Sequence, residues 1–294
     1  MAETIERVQA RLQNISIVKP LLEALKTISL GSWQTALRYS RTSLEYRARL
    51  EQLMLQVVPH LSTKDAFALN GNHPPSRILV LIGTERGLCG NFNKAIAQYT
   101  EKYLAGLNQQ GQKVEIHVFG SALVRACKHE FQERWSFKEH DMPGVAPSKM
   151  AGEWNNRWVD EFDRGTLDQV EIIYNQNAKA GRYKTVTVKH LPPILPKMDY
   201  REPPWPDAIL DTNPRVLFVE LLRQLLALDL YEIFLSSAVA EHSERYQLME
   251  QATKNADDLI EELTQDVQAA RRQAITNEME ELAAGAGLIE DLAR

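Results

Sequence analysis

Apolar residues recur at three- and four-residue intervals near the start of the chain, a spacing that predicts an amphipathic helix. The pattern is carried by Ile5, Val8, Leu12, Ile15 and Leu22. Helical spacing continues to about Leu61, and the helix-weakening residues in its interior are Pro20 and Gly31. Because proline removes a backbone donor and clashes with the preceding turn, we expect one long helix that is kinked at Pro20.

A second long helix is predicted at the other end of the chain. Asn213 and Pro214 mark its start, because asparagine caps free amides and proline is tolerated at the first helical position. No further proline or glycine occurs until Gly285, so this helix would reach on the order of 100 Å. Helices this long at opposite ends of a chain should pack on each other. A seam for that packing is supplied by Leu248, Ala252, Leu259, Leu263, Val267, Ala270 and Ala274.

The middle of the chain alternates short apolar runs with helical runs, a rhythm typical of an α/β unit. The predicted strands are 77–83, 114–119, 169–175 and 185–189, and the predicted helices are 93–107 and 121–128. The Pro-rich segment 192–206 reads as an extended connector. The predicted fold class is therefore α/β, with a long antiparallel coiled coil of N- and C-terminal helices (1–61 and 213–286) and a central Rossmann-like α/β domain (76–195).

The composition of the chain argues against several classes of protein. A formal net charge of -5 offers no global basic field for nucleic acid or an anionic membrane. The two cysteines, Cys89 and Cys127, are too few for a disulfide framework and lack metal spacing, so a reducing compartment is the default. The most apolar stretch, 216–235, is interrupted by charged residues. We therefore expect a chain that does not span a membrane, although it can belong to a membrane machine.

The most specific local signal is Thr84-Glu-Arg-Gly-Leu-Cys-Gly-Asn-Phe-Asn93, which follows the first predicted strand and opens a helix. This geometry often cradles phosphate. The spacing, however, matches neither Gly-x-Gly-x-x-Gly nor the P-loop, which also needs a Lys-Ser/Thr pair. We expect the glycines to serve tight strand-to-helix packing and Cys89 to be a small buried hydrophobe, since no histidine partner can be assigned to it.

The segment resembles the Ser-Asp-Arg-Gly-Leu-Cys-Gly-Gly-Phe-Asn motif of the F-type ATP synthase gamma subunits, the central stalk of F1. The matching positions are Arg86, Gly87, Leu88, Cys89, Gly90, Phe92 and Asn93. Further blocks follow that family in order and spacing, and the resemblance covers essentially the whole chain. These blocks are Ala240-Glu-His-Ser-Glu-Arg245, Met249-Glu-Gln-Ala-Thr-Lys-Asn-Ala256, Arg271-Arg-Gln-Ala-Ile-Thr-Asn-Glu278 and Ala284-Gly285-Ala286.

The resemblance implies a rotor shaft that couples ion flow through a membrane ring to ATP synthesis or hydrolysis. Its implied partners are the alpha and beta subunits (an alpha3-beta3 hexamer), the epsilon subunit and the membrane c-ring. It implies no catalytic residue, cofactor or metal in this chain. The implied location is peripheral, on the cytoplasmic face of a bacterial or archaeal plasma membrane, with either protons or sodium as the driving ion.

Contact residues are carried over from the resemblance position by position. Arg271, Thr276 and Glu278 match positions that form a polar catch with loops of a beta subunit, for which charge-assisted hydrogen bonds are the expected chemistry. Lys26 matches a basic position that faces acidic loops of the beta subunits. Tyr200 and Glu202 match the segment that approaches the ring. Without the resemblance, the first four are ordinary solvated positions on long helices, and the last two belong to a Pro-rich linker.

Some positions depart from the family. Its strongly basic N-terminal run reads Leu25-Lys-Thr-Ile-Ser-Leu-Gly-Ser32 here and retains only Lys26, and its usual Arg-Gln pair reads Arg271-Arg272. This weakens complementarity to an acidic partner loop and suggests the gamma subunit of a second, alternative rotary ATPase. Two other readings stay open: a coiled-coil scaffold without energy coupling, and a nucleotide- or thiol-dependent enzyme at the Gly87–Gly90 turn. Ligand binding by the isolated chain would favour the enzyme.

Overall fold

The computed structural model describes residues 2–61, 76–108, 113–178, 182–193 and 210–285. In chain order its elements are α1 (Ala2–Val57), a 3-10 turn (Val58–His60), β1 (Ser76–Ile82), α2 (Phe92–Asn108), β2 (Lys113–Phe119), α3 (Ser121–Phe131), β3 (Phe137–His140), α4 (Ser148–Asp163), β4 (Gln169–Asn177), β5 (Tyr183–Leu191) and α5 (Pro214–Gly285). The predicted long terminal helices and the predicted α/β middle are confirmed. Within the described ranges, none of the helices combines the length and apolarity that crossing a bilayer requires.

The elements group into two compact units. The first contains Met1–Ile28 with Tyr246–Arg294, and the second contains Ser29–Arg245. Each long helix therefore contributes to both units. The division of the chain into segments 1–61, 76–195 and 213–286 stays a prediction.

The second unit is built on a five-stranded sheet of order β3-β2-β1-β4-β5. β1 pairs in parallel with both β2 and β4, β2 pairs in parallel with β3, and β5 is an antiparallel edge strand on β4. β3 and α4 are absent from the sequence prediction. β3 is only four residues long, and the helical stripe Trp154, Trp158 and Phe162 of α4 lies among charged residues that dilute the apolar signal.

Helices cover both faces of this sheet, so β1 is apolar on both sides. Leu79 and Leu81 face a core formed with α2 and α3. Ile78, Val80 and Ile82 face the other core, which α4 and the nearby parts of α1 and α5 complete. The second unit is therefore a three-layer α/β structure that includes the adjoining stretches of both long helices.

Within the second unit, α1 and α5 run antiparallel. Ala36 packs with Ala238 and Val239, and further along α1 Arg47 pairs with Asp229, so residue numbers rise on one helix as they fall on the other. The predicted start of α5 is confirmed, because the backbone amide of Arg215 donates a hydrogen bond of 2.9 Å to the side chain of Asn213.

The first unit is a pair of helical segments, from the beginning of α1 and the end of α5. Of the predicted seam, Leu263 and Val267 are buried and the other five residues are half-buried. Met249 and Thr253, one position along the helix from the predicted Leu248 and Ala252, are also buried, and so is Ala256. Lys19 of α1 and Asp257 of α5 form an ion pair of 2.6 Å in this unit.

Candidate functional site

The glycine-containing segment 83–91, called here the glycine loop, connects β1 to α2. β1 is the point at which the sheet extends in two directions, to β2 on one side and to β4 on the other. In doubly wound sheets, the crevice outside the carboxyl end of such a strand is the usual ligand-binding position. The function of the loop therefore depends on which groups contact it at this edge of the sheet.

Buried hydrogen bonds fix the conformation of the loop. The Thr84 amide donates to Asn93 Oδ1 over 3.1 Å, and Asn93 Nδ2 donates to Thr84 Oγ1 over 2.8 Å. The Thr84 hydroxyl in turn donates to the Arg86 carbonyl over 2.7 Å. Asn175 of β4 donates to the Phe92 carbonyl over 2.9 Å and so holds the start of α2. The motif thus joins the end of β1 to α2 and β4 through polar side chains.

The two motif glycines serve different purposes. Gly90 has φ 56°, a left-handed conformation that glycine adopts without steric cost. At Gly87, however, an added Cβ would meet no atom within 4 Å, so the expectation of tight packing is wrong for this glycine. Cys89 is buried, and burial raises the pKa of its thiol above the ordinary value. A buried thiol with a raised pKa is a poor nucleophile.

Arg245 of α5 lies against the glycine loop. Its Nη2 donates to the carbonyls of Arg86 and Gly87 over 3.2 and 3.3 Å, and its Nε donates to Gly87 over 3.3 Å. Its guanidinium also forms an ion pair of 2.7 Å with Glu241, one helical turn earlier. Both side chains are buried, with exposed fractions of at most 10%. The loop therefore directs carbonyl oxygens at a cation of the same chain, whereas a phosphate cradle directs amides at an anion.

His242 connects the same place to the segment between β3 and α4. Its Nε2 lies 2.8 Å from the Gly144 carbonyl, and its Nδ1 lies 3.2 Å from Nη1 of Arg245. A carbonyl only accepts and a guanidinium only donates, so Nε2 must carry the proton and Nδ1 must be bare. Burial, together with the nearby Arg245, lowers the pKa of His242 to about 4, although the bond to Gly144 opposes the shift.

Two carboxylates complete the arrangement. Glu85 accepts hydrogen bonds from the backbone amides of Ser121 and Met142, each of 3.2 Å, and the Ser121 contacts lower its pKa. Burial raises the pKa of Glu241 to about 7, with Arg245 opposing the shift. The residues Glu241, His242 and Arg245, together with the glycine loop, are called here the helix joint. Chemically this is a rigid connection between α5 and the sheet, and it holds no activated nucleophile with a general base.

The four predicted beta-subunit contact residues belong to the first unit. Lys26 is half-buried on α1, whereas Arg271, Thr276 and Glu278 are exposed on α5. Arg271 and Glu278 are seven residues apart and so lie on the same side of the helix. The Thr276 hydroxyl donates to the Arg272 carbonyl within its own helix, over 3.0 Å.

The structure does not bring Lys26 next to the α5 residues. Lys19 pairs with Asp257, and in an antiparallel pair Lys26 and Arg271 lie on opposite sides of that contact. Their axial separation is roughly 30 Å at the rise of an α-helix. Tyr200 and Glu202 lie outside the described residues.

Sequence reasoning did not assign a site role to Glu241, His242 or Arg245. A signal was present, because an acidic and a basic residue four apart occur within a stretch of α5 that is buried almost throughout. Pattern alone, however, does not distinguish such a pair from a solvated one. What identifies the joint is the contact with Gly87 and Gly144, which lie far away in the sequence.

Comparisons with known proteins agree on one family. A family model described as ATP synthase matches residues 4–287. A protein of Fusobacterium nucleatum named ATP synthase gamma chain is 25% identical, over 97% of this chain and 99% of its own length. A protein of Clostridium acetobutylicum with the same name is 25% identical, over 95% of this chain and 96% of its own length.

Solved structures share the fold. A chain in the mitochondrial ATP synthase of Euglena gracilis (OSCP/F1/c-ring) superposes with a TM-score of 0.63 and 13% identity, covering 98% of this chain and 95% of that one. A chain in the central stalk and c-ring structure of the Tetrahymena thermophila mitochondrial ATP synthase has a TM-score of 0.56 and 17% identity, covering 79% and 99%. The predicted combination of a terminal helix pair with a central α/β sheet is thus an observed fold.

Proposed function

This chain belongs to the ATP synthase family, and we propose that it is a gamma subunit, the rotor shaft that couples ion flow through a membrane ring to ATP synthesis or hydrolysis. It is a non-catalytic subunit of its complex. The observation that carries the proposal is the match to relatives named ATP synthase gamma chain over 97% and 95% of this chain, a coverage that takes in both long helices and the sheet. The coiled-coil scaffold without energy coupling is not favoured.

The helix joint supports a mechanical role. A shaft must transmit torque between its α/β domain and its helices, and this requires a connection that does not slide. Arg245 supplies one, because it holds two carbonyls of the glycine loop and a buried carboxylate at once. Charge-assisted hydrogen bonds of this kind are roughly twice as strong as neutral ones.

The surface of the first unit also supports enclosure by partner subunits. Ile17, Leu21 and Ile28 of α1 are each 60–61% exposed. Near the end of α5, Ile275, Met279 and Leu282 are 57–73% exposed. Apolar side chains grouped in this way mark interaction surfaces, and an alpha-beta hexamer around the helix pair would cover them.

The individual contacts remain part of the proposal. Lys26, Arg271, Thr276 and Glu278 are proposed to face a beta subunit, and Tyr200 and Glu202 to face the c-ring. An epsilon subunit is a further proposed partner. The two relatives named ATP synthase gamma chain are bacterial, so we place the complex at the inner face of a bacterial plasma membrane, where this chain is held peripherally. The altered basic run around Lys26 further suggests an alternative rotary ATPase beside the standard one.

The experiment that tests the proposal is co-expression with the alpha and beta subunits of the same genome. Native mass spectrometry should show one copy of this chain with three of each partner, and the complex should hydrolyse ATP. A matched chain with Leu263→Asp, which places a charge in the buried seam of the first unit, should not form an active complex. A well-folded wild-type chain that fails to assemble would overturn the rotor proposal and favour the scaffold.

A separate arm tests the alternative-ATPase hypothesis. In this experiment, this chain replaces the gamma subunit that a standard alpha-beta hexamer normally contains. We expect poor restoration of ATP synthesis, because the acidic partner loops would lack basic residues to pair with. Full restoration would remove the hypothesis and leave the rotor function intact.

A further inference from the structure

Arg47 of α1 forms the most connected ion cluster between the two long helices of the second unit. Its guanidinium binds the carboxylate of Glu232 on α5 through two nitrogens, a contact called here the fork. Nε lies 3.2 Å from Oε1 and 3.1 Å from Oε2, and Nη2 lies 2.8 Å from Oε2. The same Nη2 also donates to Asp229. A third carboxylate, Glu51, lies 3.8 Å from Nη1 on α1 itself. The side chains of Arg47 and Glu232 are each 23% exposed, so solvent screens this fork less than a surface pair.

Two grooves that are open to solvent flank this cluster. One of about 380 Å³ is lined by Tyr39, Thr42 and Tyr46 of α1, by Gln224 and Tyr231 of α5 and by Ser148 of α4. The other, of about 450 Å³, is lined by Ser40 and Leu44 of α1, by Asp229 and Glu232 of α5 and by strand residues of the sheet. Solvent therefore reaches both sides of the helix pair in this stretch, so fewer dry contacts between side chains hold the helices together there.

Packing is tighter in both directions along α1. Ala36 is fully buried against Ala238 and Val239 of α5. Beyond Arg47, Leu50 and Met54 are buried in the main core. Between these dry contacts, the interhelical hydrogen bonds found in the described residues are those of Arg47 and a long one, 3.4 Å, from Tyr46 to Gln224.

We propose that Arg47 is a positioning residue that keeps α1 and α5 in register across the stretch that the two grooves flank, so that both helices carry torque together. The proposal rests on the rotor function proposed above. Two helices twisted as a pair resist torque only if they do not slide along each other. Where dry packing is reduced, the multidentate fork of Arg47 supplies the resistance to sliding.

The functional test uses the assembled complex in vesicles and measures ions transported per ATP hydrolysed. Arg47→Met keeps the length of the side chain but leaves the carboxylates of Asp229, Glu232 and Glu51 to repel one another. We expect the transport ratio to fall by about twofold or more, while ATP hydrolysis persists. Arg47→Lys, which keeps the charge without the fork, should fall between the wild type and Arg47→Met.

The control is Glu51→Gln. Glu51 contacts Arg47 but lies on the same helix, so this variant should transport as the wild type does. A change in stability alone would alter the amount of complex and not the ratio of ions to ATP. An Arg47→Met complex with the wild-type ratio would overturn the proposal.

A second measurement on the full-length chain alone separates this proposal from the rotor function. Hydrogen exchange of backbone amides in 40–49 and 224–232 should be faster in Arg47→Met and in the double variant Asp229→Asn/Glu232→Gln, and unchanged in Glu51→Gln. If hydrogen exchange is unchanged in both test variants, Arg47 does not hold the two helices in register. If exchange is faster in the variants but the chain joins no alpha-beta hexamer, the result would support the positioning role of Arg47 and would count against the rotor function.

Discussion

Arg245 and Gly87 lie 158 positions apart in the sequence, and the Arg245 guanidinium donates two hydrogen bonds of 3.3 Å to the Gly87 carbonyl. The contact joins the C-terminal helix to the loop at the carboxyl end of the central strand. In this chain, a side chain of the protein itself thus contacts the loop that other doubly wound sheets use to bind a ligand.

The first prediction concerns this contact. Arg245→Met should destabilise the folded chain by about 3 kcal/mol, because it leaves Glu241 buried without its cation and removes the hydrogen bonds that Arg245 donates to the Gly87 carbonyl. Guanidinium-induced unfolding followed by tryptophan fluorescence measures the change. Adding Glu241→Met to the same chain should recover part of the loss, since the unpaired carboxylate is then removed. A loss below about 1 kcal/mol in Arg245→Met would contradict the assigned role of the joint.

The second prediction concerns pH. The pKa of His242 falls from its ordinary value of 6.5 to about 4 on folding, so between these values the unfolded chain binds a proton that the folded chain rejects. The contribution of His242 to the free energy of unfolding is therefore intact above pH 6.5 and falls as the pH drops toward 4, by up to about 3 kcal/mol. The buried His190, whose pKa burial also lowers to about 4, adds a second contribution of the same sign. Glu241 contributes with the opposite sign in this range, because burial raises its pKa to about 7.

The variant His242→Gln isolates the first contribution. Its amide nitrogen donates to Gly144 and its oxygen accepts from Arg245, as the neutral imidazole does, but it does not titrate. Unfolding curves between pH 4 and 7 should show a shallower dependence than the wild type, by up to about one proton. An identical slope in His242→Gln would refute the explanation.

The third prediction concerns glycine. At Gly31, inside α1, an added Cβ would meet no atom within 4 Å, so Gly31→Ala should stabilise the chain by about 0.5–1 kcal/mol. At Gly83 the added Cβ would lie 2.5 Å from Cβ of Leu123, so Gly83→Ala should destabilise by about 1–3 kcal/mol. Thermal unfolding of the two variants side by side measures the contrast. Changes of the same sign in both would contradict this account of the two sites.

The residues explain why some of this structure is readable from sequence and some is not. α5 is predictable because one asparagine caps it and no glycine or further proline follows Pro214 until Gly285, and both signals are local. β3 and α4 escape prediction because four residues are too short for periodicity and because charged residues surround the apolar stripe at Trp154 and Trp158.

The helix joint is a clearer example of structure that cannot be predicted from the sequence. The Thr84–Asn93 segment is recognisable as a motif, but its function depends on Arg245 and Gly144, which only the folded chain brings close. Gly87 illustrates the consequence. The sequence predicts that Gly87 serves tight packing. In the structure, an added Cβ at Gly87 would meet no atom within 4 Å, and the Gly87 carbonyl accepts a hydrogen bond from Arg245.

The last prediction concerns the proposed beta-subunit contacts on α5. Arg271 and Glu278 are exposed on one side of the helix, and Arg272 is exposed about 100° away around it. In the assembled complex, Arg271→Ala and Glu278→Ala should each lower ATP hydrolysis by about tenfold, the effect of losing about 1.4 kcal/mol of charge-assisted hydrogen bonding. Arg272→Ala changes the net charge as Arg271→Ala does, and it should have a much smaller effect if position on the helix matters. Equal losses in Arg271→Ala and Arg272→Ala would point to a general electrostatic effect, and normal hydrolysis in all three variants would remove these residues from the proposed interface.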